Sequence, residues 1–285
     1  MPAGLAFTLP HGLRVGGEWT RDAQVRALSG AEEEFLAGHG ADLLPAERTT
    51  ELLARCVERI GPMEAGPETV LDLTVGDREA LLLQIRRLTF GDRLDAVVAC
   101  PSAECGAPMD LELSVGDLLV APYSNDGEWR EASVEAGNAQ HTVRYRVPTG
   151  ADQVDAARMA TDLPAAARLV LDRCVRAVSE GGAEPLAELP DELAEVLAGV
   201  LAGGDPQAEL ILSLTCPECG TRFQVLFDAG DYLFRETAAQ RNRLFEEVHE
   251  LALHYHWSEA EIMAMPTGKR RHYLELLAET ARRGG

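Results

Sequence analysis

Two stretches of alternating apolar and polar residues share one layout and organise the chain. Each starts with a short apolar run, passes through a pair of cysteines and continues with apolar residues at every second position, in residues 94–119 and again in residues 210–234. A period of two is the pattern of a half-buried β-strand. The sequence therefore predicts two β-hairpins, each with its cysteines at the turn.

Around these hairpins the apolar residues recur at helical spacing. Cys56 and Cys174 each lie on the apolar face of a predicted helix, and residues 74–88 and 190–201 form predicted helices that precede the two hairpins. A small apolar side chain packed in the core is the expected role of Cys56 and Cys174. The pattern thus combines helices and hairpins in an α+β fold.

The same landmarks occur twice, in the same order and at nearly the same separation. The matched pairs are Gly30 with Gly150, Cys56 with Cys174, the two cysteine pairs, and Gly116 with Gly230. Such self-similarity indicates an internal duplication of a unit of roughly 100 residues. The predicted organisation is an extended segment, a first repeat unit, a linker or long hairpin loop, a second repeat unit and a helical tail, over residues 1–21, 22–122, 123–141, 142–236 and 237–285.

The helical tail stands outside the repeat and carries its own charge. Its last twenty residues hold five basic and two acidic side chains, whereas the whole chain has a formal net charge of -21. Tyrosine and tryptophan are favoured anchors in binding surfaces. One reading is a surface that docks a partner, and the other is a lid that packs on the chain's own repeats. The candidate partner-binding residues are His254, Tyr255, His256, Trp257, Arg270 and Arg271.

Four of the six cysteines form two knuckles with the chemistry of a zinc ribbon. Cys100 and Cys105 are separated by four residues, and Cys216 and Cys219 by two. Two thiolates on one tight turn supply half of a tetrahedral zinc site, so one knuckle from each repeat would complete it. Four thiolates leave no open position for water, which favours a structural ion over a catalytic one. The alternatives are knuckles without metal or two local disulfides.

Composition and motifs exclude several classes of protein. The strong negative charge argues against a general nucleic-acid or anionic-membrane binder. No apolar run approaches the roughly 20 residues of a membrane span, and the N-terminus lacks the features of a signal peptide, so we expect a cytoplasmic protein. His249 and His254 are spaced i and i+5, which places them roughly 140° apart on a helix and rules out a zincin motif. With no other catalytic motif, we expect no enzyme activity.

Three stretches together resemble a known family. They are LPHG followed by RALSGAEEEFL near the N-terminus, the paired knuckles, and the tail sequence VHELALHYHWSEAEIMAMPTGKRRHYLELL. The chain is similar to the T4-type baseplate protein family, the baseplate hub assembly chaperones of contractile phage tails and phage-tail-like contractile injection systems. The resemblance implies that the protein holds or delivers hub or spike components while a baseplate forms.

The competing class is a zinc-ribbon regulator that binds nucleic acid. It would need a basic ribbon face, yet residues 99–115 contain no lysine or arginine, and Arg222 is the basic residue of the second knuckle. A metal-dependent hydrolase is the third class, and the histidine spacing argues against it. The sequence therefore favours a non-enzymatic assembly factor, or a minor baseplate component, stabilised by one structural zinc ion.

Overall fold

The first half of the chain builds an antiparallel sheet, a layer of helices and a separate hairpin. A computed structural model describes residues 4–123, 127–136, 139–180 and 191–284. Four strands form the sheet in the order β1-β2-β3-β4. The elements in chain order are β1 (Leu5–Val15), β2 (Glu18–Val25), α1 (Gly30–Ala37), α2 (Pro45–Cys56), β3 (Val57–Ile60), β4 (Met63–Glu64), α3 (Pro67–Asp72), α4 (Val75–Phe90), β5 (Arg93–Ala99), β6 (Pro108–Ser114) and α5 (Val115–Leu118), with a 3₁₀ turn at His39–Asp42.

The second half follows the same order of elements. Its sheet contains three strands in the order β7-β8-β9, and its hairpin is again separate. The elements are β7 (Arg130–Ala136), β8 (Ala139–Tyr145), α6 (Gly150–Ala157), α7 (Leu163–Cys174), β9 (Val175–Glu180), α8 (Asp191–Gly204), β10 (Leu210–Thr215), β11 (Arg222–Phe227) and α9 (Ala229–Ala239). The positions that would correspond to β4 and α3 fall on residues 181–190, outside the described residues.

Three helices follow and form the predicted tail: α10 (Arg241–Tyr255), α11 (Glu259–Met263) and α12 (Thr267–Gly284). Ser258 begins α11 with a capping box, in which its hydroxyl accepts from the Glu261 backbone and the Glu261 carboxylate accepts from Ser258. Apart from this helical tail, both halves combine helices and antiparallel sheet in the described residues, which agrees with the predicted α+β class.

Two predicted boundaries differ from the structure. The stretch 123–141, predicted as a linker or long loop, contains β7 and the start of β8. Its inward positions alternate with polar residues, but two of the three, Ala132 and Ala136, carry small side chains beside Val134, so the apolar signal of this strand is weak. The stretch 1–21, predicted as a separate extended segment, contributes β1 and the start of β2 to the first sheet.

The larger hydrophobic core joins both halves. Leu52, Leu81 and Ile85 from the first half are fully buried, and α9 of the second half adds Leu233 and Phe234 to the same cluster. A smaller core lies under the second sheet. The predicted core roles of Cys56 and Cys174 fit this packing, because both side chains are completely buried.

The start of α6 docks against the start of α4 through a short antiparallel bridge. The Val75 N–H donates to the Pro148 carbonyl at 3.1 Å, and the Gly150 N–H donates to the Leu73 carbonyl at 2.9 Å. A Cβ atom on Gly150 would lie 2.4 Å from the guanidinium of the fully buried Arg78. Glycine is therefore required where the two halves meet.

The start of α1 docks against the start of α12 through the same pattern. The Thr267 N–H donates to the Leu28 carbonyl at 3.2 Å, and the Gly30 N–H donates to the Met265 carbonyl at 3.4 Å. Arg270, the fourth residue of α12, is fully buried as Arg78 is at the fourth position of α4. The tail thus packs on the first half through the same type of contact that joins the first half to the second.

Candidate metal centre

The two hairpins present the cysteines at their turns. β5 and β6 pair antiparallel up to Ala99 and Pro108, and β10 and β11 pair up to Thr215 and Arg222. The first turn therefore spans residues 100–107 and is longer than the second turn at 216–221. This difference follows from the four residues between Cys100 and Cys105, which the sequence predicts to need a wider turn.

A glycine in the left-handed conformation follows the second cysteine of each knuckle. Gly106 has φ 57° and Gly220 has φ 75°, values that L side chains rarely adopt. The Gly106 N–H donates to the Ser102 carbonyl, and the Gly220 N–H donates to the Cys216 carbonyl, at 3.0 and 2.9 Å. These bonds close each turn so that both of its sulfur atoms point to the same side.

The four knuckle sulfurs converge from opposite hairpins. The Sγ atoms of Cys100 and Cys219 are 3.6 Å apart, and those of Cys105 and Cys216 are 3.8 Å apart. All four lie within 4.8 Å of one another. A tetrahedral zinc ion with Zn–S bonds of about 2.3 Å has S–S edges of about 3.8 Å, so the arrangement fits a four-thiolate site.

The sulfur arrangement differs from that of local disulfides. A disulfide needs an S–S distance of about 2.05 Å, whereas all six cysteines are free thiols in the structure. The sulfur contacts at 3.6 and 3.8 Å join residues of different hairpins, 119 and 111 positions apart in sequence. The site could therefore link the two halves of the chain through a metal ion.

Clustering makes it costly to ionise all four thiols in the absence of a cation. The pKa of Cys219 is lowered to about 6, first by hydrogen bonding to the Thr221 side chain and then to its backbone. At Cys100 a backbone hydrogen bond to Ser102 lowers the pKa, but desolvation and the contact with Cys219 outweigh it and raise the pKa to about 12. A metal ion between the sulfurs removes the cost of bringing several thiolates together.

The helices that follow the hairpins hold them in place. Ser114 caps α5 by accepting from the Asp117 N–H, and Asp228 caps α9 by accepting from the Asp231 N–H. From α9, Tyr232 joins the two hairpins: its hydroxyl donates to the Asp95 carbonyl at 3.0 Å and lies 3.1 Å from the Asp95 N–H. The hairpins are thus fixed on both sides of the metal centre.

The surface of the first hairpin is acidic and internally paired. Arg93 contacts Asp95 at 2.9 Å and Glu112 at 2.7 Å, and all three side chains are largely exposed. The guanidinium is therefore engaged by carboxylates of its own hairpin. This face lacks the free positive charge that phosphate binding requires.

The aromatic residues of the tail form a cluster on the chain itself. The rings of Tyr255 and Trp257 stack with centroids 4.5 Å apart, and Tyr273 of α12 meets Trp257 edge-on at 4.9 Å. His254 and His256 are exposed beside this cluster. The stacked rings are half-buried and connect α10 to α12, so they stabilise the fold of the tail.

Arg270 does not lie on a surface that a partner could reach. Its side chain is fully buried, and its guanidinium contacts Glu33 at 2.8 Å and Glu247 at 3.2 Å. Arg271 is half-buried, donates to Gln240 at 2.5 Å and lies over the ring of Phe90. The predicted role of Arg270 in partner binding is corrected, because its charge is buried against acidic residues of the same chain, whereas the predicted role of Arg271 stays a prediction.

A buried polar cluster at the junction of the two halves is absent from the sequence prediction. The carboxylate of Asp77 accepts from the backbone N–H groups of His11 and Gly12, both at 2.8 Å. Asp205 accepts from the Gly76 N–H at 2.8 Å and from the Tyr123 hydroxyl. The LPHG stretch around His11 is the signal that the sequence offers, but it does not indicate Asp77 as the acceptor.

Comparison with known proteins identifies the family. The model of the family described as T4 bacteriophage base plate protein matches residues 19–234, which include both knuckles and end before α10. The LPHG stretch and the tail, which also suggested the resemblance, lie outside the matched residues. No curated protein and no solved structure matches the chain significantly. Within the described residues, no helix is both long and apolar enough to span a membrane. The chain belongs to the T4 bacteriophage base plate protein family.

Proposed function

We propose that this baseplate-family protein is a non-enzymatic assembly factor for the hub of a contractile phage tail or contractile injection system. The observation that carries the proposal is the family match over residues 19–234. It supports a baseplate-related role with tail-assembly proteins as partners. More specifically, we propose that the chain acts in the cytoplasm as a chaperone that holds or delivers hub or spike components. A permanent place as a minor baseplate component is the second form of this role.

A structural zinc ion at the four cysteines is part of the proposal. Its support is the match between the sulfur separations of 3.6 and 3.8 Å and the edges of a tetrahedral thiolate site. With one knuckle from each half, a single ion would stabilise two segments that are far apart in sequence. The repeated order of elements and the repeated docking contact support an internal duplication as the origin of this arrangement.

The alternative is a zinc-ribbon regulator that binds nucleic acid. The acidic pairs around Arg93 and the formal charge of -21 weigh against it, because such binding rests on contacts between basic side chains and phosphates. The basic residues of the tail offer little support, since Arg270 is buried against Glu33 and Glu247.

The experiment is complementation in the system that encodes the protein. Deletion of its gene should stop baseplate formation, and the wild-type gene should restore it. A chaperone should be absent from purified particles, whereas a structural component should be present in them at a fixed ratio, as measured by mass spectrometry. Normal particles in the deletion strain would contradict both forms of the proposal.

A further inference from the structure

An open apolar groove runs between α7 and α8 in the second half. Its volume is about 490 Å³. The floor and walls are formed by small and branched apolar side chains, chiefly Ala167, Val170, Leu171, Ala194, Ala198 and Leu201. Grooves of this kind are suited to an amphipathic helix, which places its apolar face between two helices of the host.

The corresponding groove in the first half is filled. α2 and α4 occupy the places of α7 and α8, and α9 packs against both of them. Leu233 of α9 is fully buried there, and Phe234 lies under the guanidinium of Arg48 at 5.1 Å. Gly230 faces α4 at close range, because a Cβ atom built on this glycine would lie 3.5 Å from the side chain of Leu82. The first half thus shows that a helix with two adjacent large apolar residues fits against this pair of helices.

The chain's own counterpart of α9 does not fill the second groove. That counterpart is α5, which follows the first hairpin as α9 follows the second, but α5 comprises only Val115–Leu118. Val115 and Leu118 are buried in the core of the first half, and no residue of α5 lines the groove. Among its described residues, the second half therefore lacks a helix equivalent to the one that completes the first half.

The charge at the groove limits the kind of helix that fits. Glu195 and Glu209 line it, are exposed, and have no ion pair among the described residues. Asp205 also lines it but is engaged by Gly76 and Tyr123. Two free carboxylates beside an apolar floor attract a helix with lysine or arginine next to its apolar face.

We propose that the groove between α7 and α8 docks a basic amphipathic helix of a tail-assembly partner. That helix would carry two adjacent large apolar residues, in the place that Leu233 and Phe234 take in the first half. The identity of the partner as a tail-assembly protein rests on the proposed function. The binding surface itself does not, so the binding experiment can succeed where the complementation experiment fails.

The test uses the full-length protein and a fluorescent peptide that copies residues 229–242 with Asp231→Lys and Glu236→Lys. Binding is measured by fluorescence anisotropy at several salt concentrations. A second peptide with Leu233→Asp and Phe234→Asp lacks the apolar pair. In the protein, Ala198→Trp fills the groove, and Ala278→Trp places the same bulk on an exposed position of α12 as the matched control.

We expect saturable binding of the first peptide that Ala198→Trp weakens by about tenfold or more, while Ala278→Trp leaves the affinity unchanged. Glu195→Lys should weaken binding at low salt and lose this effect at high salt. Circular dichroism would show that the variants keep their fold. Equal binding of the second peptide, or no binding of the first, would overturn the proposal.

Two other occupants of the groove would give different experimental results, and either result would also overturn the proposal. If the peptide binds only after residues 181–190 are replaced by a glycine-serine linker, the chain fills the groove with its own segment. If sedimentation shows a dimer that Ala198→Trp dissociates, the groove takes a second copy of the chain.

Discussion

At the scale of single residues, the knuckle cysteines differ from the core cysteines in what surrounds their sulfur atoms. We expect about one zinc ion per purified chain, retained by Cys174→Ala and lost by Cys216→Ala. The reason is that Cys216 lies 3.8 Å from Cys105 in the sulfur cluster, whereas Cys174 is buried in the second core. Elemental analysis measures the zinc content.

Hydrogen exchange supplies the second readout for the zinc site. Because metal binding contributes directly to folding, the loss of Cys216 should raise exchange in both hairpins, at residues 93–114 and 210–227. A zinc-free wild-type protein after metal-replete expression, or two zinc ions per chain, would contradict the shared site. Exchange confined to the second hairpin would show that the knuckles act separately.

Asp77 gives a prediction on pH at the same scale. Burial raises the pKa of this carboxyl from its ordinary value of 3.8 to about 7, although hydrogen bonds from His11 and Gly12 oppose the shift. The unfolded chain therefore releases the proton at lower pH, and the contribution of Asp77 to stability falls as the pH rises from about 4 to about 7. Denaturant titrations should show that the free energy of unfolding falls less steeply with rising pH in Asp77→Asn than in the wild-type protein over this range. Parallel curves for the two proteins would contradict the prediction.

At the scale of elements, the docking of helix starts depends on glycine. Gly150→Ala should lower the free energy of unfolding by about 1–3 kcal/mol, because the new methyl group would meet the buried guanidinium of Arg78. That guanidinium cannot move freely, since it donates to Val70, Ala46 and Thr50 at 3.0 Å each.

The matched control is Gly199→Ala in the middle of α8, where a Cβ atom meets nothing within 4 Å. This substitution should stabilise the protein by about 0.5–1 kcal/mol, because alanine loses less entropy in a helix than glycine. Thermal and denaturant unfolding measure both variants. Equal effects at the two positions would show that the contact between the halves tolerates a side chain.

At the scale of the whole molecule, the tail completes the first half. Arg270→Met would leave the carboxylate of Glu33 buried without its cation, which typically costs about 3–5 kcal/mol, whereas Glu247 would keep Arg243 and Arg271. The control Arg283→Met removes an exposed arginine paired with Glu279 and should change stability by less than about 0.5 kcal/mol. Chemical denaturation measures the difference. A mild effect of Arg270→Met would mean that the tail can leave the body at low cost.

The packing of the tail on the rest of the molecule divides its basic residues into two groups. Arg270 and Arg271 face Glu247 of α10, whereas Arg282 and Arg283 lie on the exposed end of α12. Two of the five basic residues thus have acidic partners inside the molecule, and Lys269 is exposed together with Arg282 and Arg283. Of the two readings of the tail, packing on the chain's own repeats agrees with the structure.

Most of the local elements and all of the candidate metal ligands could be predicted from the sequence. Short-range patterns were sufficient for this, since alternation marks strands, a serine followed by a glutamate caps α1 and α11, and cysteines with a following glycine mark the knuckles. The order of matched landmarks also predicted two similar halves. The weak alternation of small residues in β7 shows where this information fails, because packing rather than pattern places that strand.

Which distant residues come into contact could not be predicted from the sequence. Contacts between distant segments depend on how elements pack, and nothing in the local pattern of Asp77 or Arg270 names His11 or Glu33 as its partner. Packing also brought Cys100 beside Cys219 and buried Arg270 against Glu33 and Glu247. Among the described residues, it left the groove between α7 and α8 open while α9 filled its counterpart. These outcomes depend on packing between residues that are far apart in sequence, and local sequence patterns do not reveal such contacts.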